Sequence, residues 1–225
     1  TPICFKKYDL IMDEEITIID AKTRNEKIKN FFMTNKKILI IISIAIVTIL
    51  ISFYSIQAYK DGHREYISNK YNNASINFDK GDKAKTLLMM KEIIEDKDTT
   101  YSPLALYFLI DNNLIENKDE INDFFDLVIN KVSLENEIRN LIIYKKGLYN
   151  ADFVEGNELM NILKPLINSE SIWRSHALHL IGEYFYSKNE KQKSKEFFNK
   201  ILSLENANQD LVLEAQKRLN RDLSE

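Results

Sequence analysis

Between Lys37 and Lys60 the chain runs for 22 residues, Ile38 to Tyr59, without a formal charge. A helix of that length spans roughly 33 Å, enough for the hydrocarbon core of a bilayer. From Ile38 to Ile51 the only polar side chains are Ser43 and Thr48, and both hydroxyls can return to a backbone carbonyl of the preceding turn. Tyr54 and Tyr59 stand near the far end, where amphipathic rings favour the headgroup zone. A buried helix of a soluble protein rarely lacks a polar face for this long. The run also exceeds the apolar region of a secretory signal, and its nearest small-residue cleavage position, Ala58, follows bulky Ile56. The expectation is one uncleaved transmembrane helix over 38–59.

Its orientation follows from the flanks. Lys22, Arg24, Lys27, Lys29, Lys36 and Lys37 precede the run, whereas Lys60, Arg64 and Lys70 follow it within a similar distance. The positive-inside bias assigns 1–37 to the cytoplasm and 60–225 to the far side, the periplasm if the membrane is a bacterial inner membrane. Within the tail, Met12 opens an acidic stretch that reads as a natural start, with 1–11 lying upstream of it; Cys4, the sole cysteine, falls in that leader. Ile28, Phe31 and Phe32 among lysines fit either a short interfacial helix or a solvated basic linker.

Beyond Lys60 the chain reads as helical throughout. Five Gly and three Pro in 225 residues are too few for the turns of a sandwich, barrel or doubly wound sheet. Apolar residues recur at steps of three and four between short polar breaks. The pattern predicts pairs of antiparallel helices, 62–79 with 82–96, 102–114 with 118–131, 134–149 with 156–167 and 171–187 with 190–204, and a closing helix over 208–221. Pair starts 30–40 residues apart fall in the range of a helical solenoid. The fold class expected is therefore all-α, a single N-terminal transmembrane helix followed by a solenoid domain over 60–225.

The last pair carries the most specific pattern. Leu178, Ile181, Gly182 and Phe185 lie on its first helix, and Ser194, Phe198, Ile201 and Leu202 on its second. This resembles the tetratricopeptide repeat, in which two small residues let paired helices nest. Gly182 costs about 1 kcal/mol against Ala in a helix, which close approach would offset. Asn189 stands where the repeat usually turns with Gly, and Asn tolerates left-handed geometry. In the first pair Ala74, Gly81, Ala84 and Leu88 supply small and turn positions, with the interval from Ala74 to Ala84 two residues short.

The whole arrangement resembles the YfgM-type ancillary subunits of the SecYEG translocon, above all their alphaproteobacterial branch. The matching residues are the charged start Asp13-Glu14-Glu15 and Arg24-Asn25-Glu26-Lys27, the segment Leu163-Lys164-Pro165-Leu166, the block Trp173-Arg174-Ser175-His176-Ala177, and Ala215-Gln216-Lys217-Arg218-Leu219. The resemblance implies an inner-membrane protein held at the translocon. It would associate with a membrane-anchored periplasmic chaperone of the PpiD type and help exported polypeptides pass from channel to chaperone. The alternative class is an anchored scaffold for envelope assembly or cell-division machinery.

His176, His179, Glu183 and Tyr186 share one helix face opposite the packing residues. In tetratricopeptide arrays the corresponding face lines the peptide groove, so these four are the peptide-contact candidates, against an ordinary solvated face. Trp173, the only tryptophan, is expected as a structural anchor at the start of its helix. Two histidines and Glu183 lack a third strong ligand, so no metal site or cofactor is expected. A net charge of −3 gives no support to a nucleic-acid partner. With no Gly-rich phosphate loop, nucleophile elbow or His-Glu-x-x-His, the chain is expected not to be an enzyme.

Overall fold

The computed structural model describes residues 23–24 and 26–223, which hold ten helices and no strand. Most of the expected cytoplasmic tail, including Met12 and Cys4, lies outside the described residues. A short helix over 26–34 (α1) is followed by α2 (Lys36–Asp79), α3 (Lys83–Glu95), α4 (Tyr101–Asp111), α5 (Lys118–Lys131) and α6 (Asn136–Asn150). Then come α7 (Gly156–Ile167), α8 (Arg174–Ser187), α9 (Lys191–Leu202) and α10 (Gln209–Arg221). The chain divides into two compact units, Thr1–His63 and Arg64–Glu225.

One helix among the described residues, α2, is long and apolar enough to cross a membrane, and none of its most apolar stretch is buried in protein. The Thr48 hydroxyl donates to Ile44 O at 2.9 Å, which satisfies a polar side chain without any partner helix. The span expected over 38–59 and the helix expected over 62–79 are parts of one helix of 44 residues, α2. Gly62 is the weakest point and costs about 1 kcal/mol, but no proline interrupts the ladder. Gln57 Nε2 also donates to Asp61 Oδ1 at 3.1 Å, one turn on.

In the unit from Arg64 on, helix bounds fall within one turn of those expected from periodicity. From α3 on, consecutive helices pack on one another, and alternate ones touch as well, α3 with α5, α6 with α8 and α8 with α10. Buried residues form two clusters. One joins Ile67, Met90, Leu106, Phe125 and Ile142; the other joins Leu159, Leu178, Phe185, Phe198 and Ala215. Ile129 packs against both. Amide pairs help set the joints: Asn122 and Asn150 exchange hydrogen bonds of 3.0 and 2.8 Å between α5 and α6.

The first and last hairpins of this unit share one register. Ser194 Oγ donates to Gly182 O at 2.9 Å, and Thr86 Oγ1 donates to Ala74 O at 3.1 Å. Both hydroxyls are buried, and both bonds join residues twelve apart. Thr86, and not Ala84, thus holds the second small position of the first pair; Ala84 and Leu88 are exposed. The short interval expected from the sequence arises from choosing the smaller side chain over the one whose hydroxyl meets the facing carbonyl. Each first helix is closed by a left-handed residue seven positions after its small residue, Gly81 (φ 87°) and Asn189 (φ 60°). Asp82 N donates to Asn77 O and Glu190 N to Phe185 O at 3.0 and 2.8 Å, closing the same Schellman motif twice. Met90 and Phe198, and Ile93 and Ile201, stand at equivalent places and are fully buried. The equivalence ends one residue later, where Ile94 is buried and Leu202 is 39% exposed.

These crossings have measurable consequences. A Cβ added at Gly182 would lie 2.9 Å from Phe198 Cε1, and Phe198 is enclosed on all sides. Gly182→Ala should therefore destabilise the chain by about 1–2 kcal/mol, overpacking outweighing the gain in helix propensity. Ser194→Ala and Thr86→Val should each cost about 1 kcal/mol through the lost buried hydrogen bond. Urea unfolding of the full chain in detergent, followed by helical circular dichroism, checks all three.

Candidate functional site

Helix α8 is apolar over most of its circumference because α6, α7, α9 and α10 all pack on it. Leu178, Ile181, Gly182 and Phe185 are buried in the second cluster, facing Ser194, Phe198 and Ile201, which are also buried. Its remaining face carries the four peptide-contact candidates, all half-buried.

Three of the four meet α10. Glu183 receives a two-pronged bond from Arg218, Nε to Oε1 at 2.8 Å and Nη2 to Oε2 at 2.7 Å. The same guanidinium lies 4.6 Å from the centre of the Tyr186 ring and donates through Nη1 to Asp222 Oδ2 at 2.9 Å. His179 Nε2 lies 3.2 Å from Glu214 Oε2 and 3.9 Å from Glu183 Oε1. Beneath these polar contacts Ala215 and Leu223 are buried, and Val212 and Leu219 pack against the cluster. The face is engaged by the closing helix, so a peptide reaching His179, Glu183 or Tyr186 would first have to displace α10. The polar spacing had suggested an open surface because a single helix does not show what its neighbour supplies. Glu214 and Arg218 on α10 and Asp222 at its C-terminal cap recur every four residues, a charge stripe that matches His179 and Glu183 on α8. That match was the available signal for the missed residues.

His176 belongs to a different group. Its ring lies 5.1 Å from Trp173 and 5.7 Å from Tyr144, and Trp173 stacks on Tyr144 at 5.7 Å. Trp173 thus joins the start of α8 to α6. His176 Nδ1 is buried without a hydrogen-bond partner, as is Arg174 Nε. Beside them the loops before α8 and before α10 enclose a shallow cleft of about 560 Å³, lined by Glu170, Ser171, Arg174, Ser175, Ser203 and Asn206 among others. The cleft offers donors and acceptors to a polar chain, and at its edge the Ser171 hydroxyl donates to Glu137 Oε2 at 2.8 Å. Among the described residues no group of three or more His, Cys, Asp or Glu side chains is placed to hold a metal ion.

Compared with known proteins, the chain matches no family model, no curated protein and no solved structure.

The α8–α10 contact carries its own pH dependence. Hydrogen bonds from Arg221 and Arg218 hold the Asp222 carboxyl down at about 2, from an ordinary 3.8. A depressed carboxylate contributes stability that is complete above its unfolded value and is lost as pH falls from about 4 through 2. Burial lowers the pKa of His179, against the opposing pull of Glu183 and Glu214. A histidine held neutral in the fold begins to cost stability as pH falls through its unfolded value of about 6.5. The thermal midpoint of the full chain should therefore be flat from pH 8 to about 6.5, decline below that, and decline again below about 4. His179→Gln should remove the upper decline and leave the lower one. A double-mutant cycle of Glu183→Gln with Arg218→Gln should return a coupling of about 1 kcal/mol, the magnitude for a well-formed but partly solvated pair.

Proposed function

We propose that this chain is a membrane-anchored protein–protein interaction module, with α2 as its anchor and a tetratricopeptide-like solenoid beginning at Arg64. The observation that carries this reading is the register shared by the first and last hairpins. A small residue, a left-handed turn seven residues on and a buried hydroxyl bonded back across the crossing occur at Ala74, Gly81 and Thr86, and again at Gly182, Asn189 and Ser194. Stacking of α6 on α8 and of α8 on α10 supports it, since first helices of successive pairs stack in solenoids. In such an array the last helix must cover an otherwise open apolar face, and α10 does so with Ala215, joined by Leu223 just past its end.

On the resemblance to YfgM-type proteins, the module serves as an ancillary subunit of the SecYEG translocon in a bacterial inner membrane. The N-terminus lies in the cytoplasm and the solenoid in the periplasm, where it links exported polypeptides to a membrane-anchored chaperone of the PpiD type. The polar cleft beside Arg174 and Trp173 is the surface we assign to partner contact, because it stays open between the loops before α8 and α10 while the α8 face is held by α10.

The test is crosslinking in living cells followed by purification of the full-length protein from mild detergent and mass spectrometry. Recovery of SecY-type channel subunits with a membrane-anchored prolyl-isomerase-like chaperone is the expected outcome. Recovery of division or wall-synthesis proteins without channel subunits would move the protein to the scaffold class. Orientation is checked separately with a Ser203→Cys variant, which a membrane-impermeant maleimide should label from the periplasmic side.

A further inference from the structure

We propose that the segment from Arg24 to Lys37 docks on the anionic leaflet of the bilayer, its basic side chains taking lipid phosphates while Phe31, Phe32 and Met33 enter the headgroup layer. The proposal rests on the reading that α2 crosses the membrane.

Three observations carry it. Ile28, Phe31, Phe32 and Met33 are 49–70% exposed, an apolar surface that no described part of the protein covers. Arg24, Lys27, Lys29, Lys36 and Lys37 surround it with Glu26 as the one acid, and none of the five forms an ion pair among the described residues. Backbone bonds also bridge the one-residue break between α1 and α2, Asn35 N donating to Phe31 O at 3.0 Å and Leu39 N to Asn35 O at 2.9 Å. Phe32 therefore sits about 9 Å along the axis from Ile38. The polar layer of a leaflet extends roughly 5–8 Å beyond the hydrocarbon, and an aromatic ring reaches back across the difference.

The occupant follows from how the charges are spread. At about 100° per residue, Lys27, Lys29 and Lys37 point to three different sides of the helix. A protein groove would take one stripe of such a helix, whereas the headgroups around a membrane span can meet it from every side. Clustered cations beside a membrane span are drawn to anionic headgroups. Aromatic and Met side chains in their midst are stable only where an apolar layer lies within reach.

The experiment uses the full chain with Cys4→Ser, reconstituted into lipid nanodiscs, carrying one spin label at Met33→Cys or Ile46→Cys. Accessibility to a water-soluble nickel complex and to oxygen is read by power saturation. With phosphatidylglycerol in the disc, the label at position 33 should lose nickel accessibility several-fold relative to discs of phosphatidylcholine alone. The double change Lys27→Glu with Lys29→Glu should restore it. Equal nickel accessibility at position 33 in both lipids, or no response to the charge reversal, overturns the proposal. The label at position 46 keeps the two readings apart: shielded from nickel while position 33 stays in water, it leaves the span standing and refutes only the docking; open to nickel, it removes both.

Discussion

Gly182 carries no side chain, and the edge of the Phe198 ring lies 2.9 Å from where a Cβ would be. That contact, together with the Ser194 hydroxyl on the Gly182 carbonyl, sets how closely α9 lies on α8. The distance matters because α8 is the helix on which α6, α7 and α10 also pack. A wider crossing would move Phe185 and Ile201 out of register in the same cluster. The first hairpin solves the problem with Ala74 and Thr86, where a methyl group is tolerated and the buried hydroxyl keeps its role. In both cases a backbone carbonyl and a side-chain hydroxyl satisfy each other inside an apolar contact, so neither is left as an unpaired buried group.

The closing helix depends on a different balance. Only Ala215 of α10 proper is fully buried, so its apolar contribution is small. Arg218 compensates by bridging Glu183, Tyr186 and Asp222 at once. A fork of parallel hydrogen bonds fixes direction as well as distance, which suits a helix that must lie in one orientation at the end of a stack. The cost is sensitivity to protonation at Asp222 and His179, and to any chain that competes for the same face.

The apolar stretch of α2 obeys other rules from those governing the unit that follows. Over Ile40 to Ile51 the side chains are exposed to whatever surrounds the protein, and backbone groups are satisfied within the helix itself. After Arg64 the same helix buries Ile67 and Ala74 and must match specific neighbours. One continuous ladder thus carries two kinds of surface, and the charged residues Lys60, Asp61, His63 and Arg64 mark the change without breaking it.

Much of this was legible along the chain. Helix positions, the apolar span and the burial of Leu178, Ile181, Phe185 and Phe198 follow from residue spacing, because a helix is held by bonds between near neighbours and its faces repeat every few residues. The continuity of α2 through Gly62 was less so, since the local penalty is small enough for the flanking turns to absorb. The choice of Thr86 over Ala84 was decided by a carbonyl on the facing helix. The conversion of His179, Glu183 and Tyr186 from an apparent open surface into the seat of α10 was decided by Arg218, thirty-five residues from Glu183. Spacing within one helix states which residues share a face; only the packed helices state what that face meets, because the partner's charge, shape and distance come from another part of the chain.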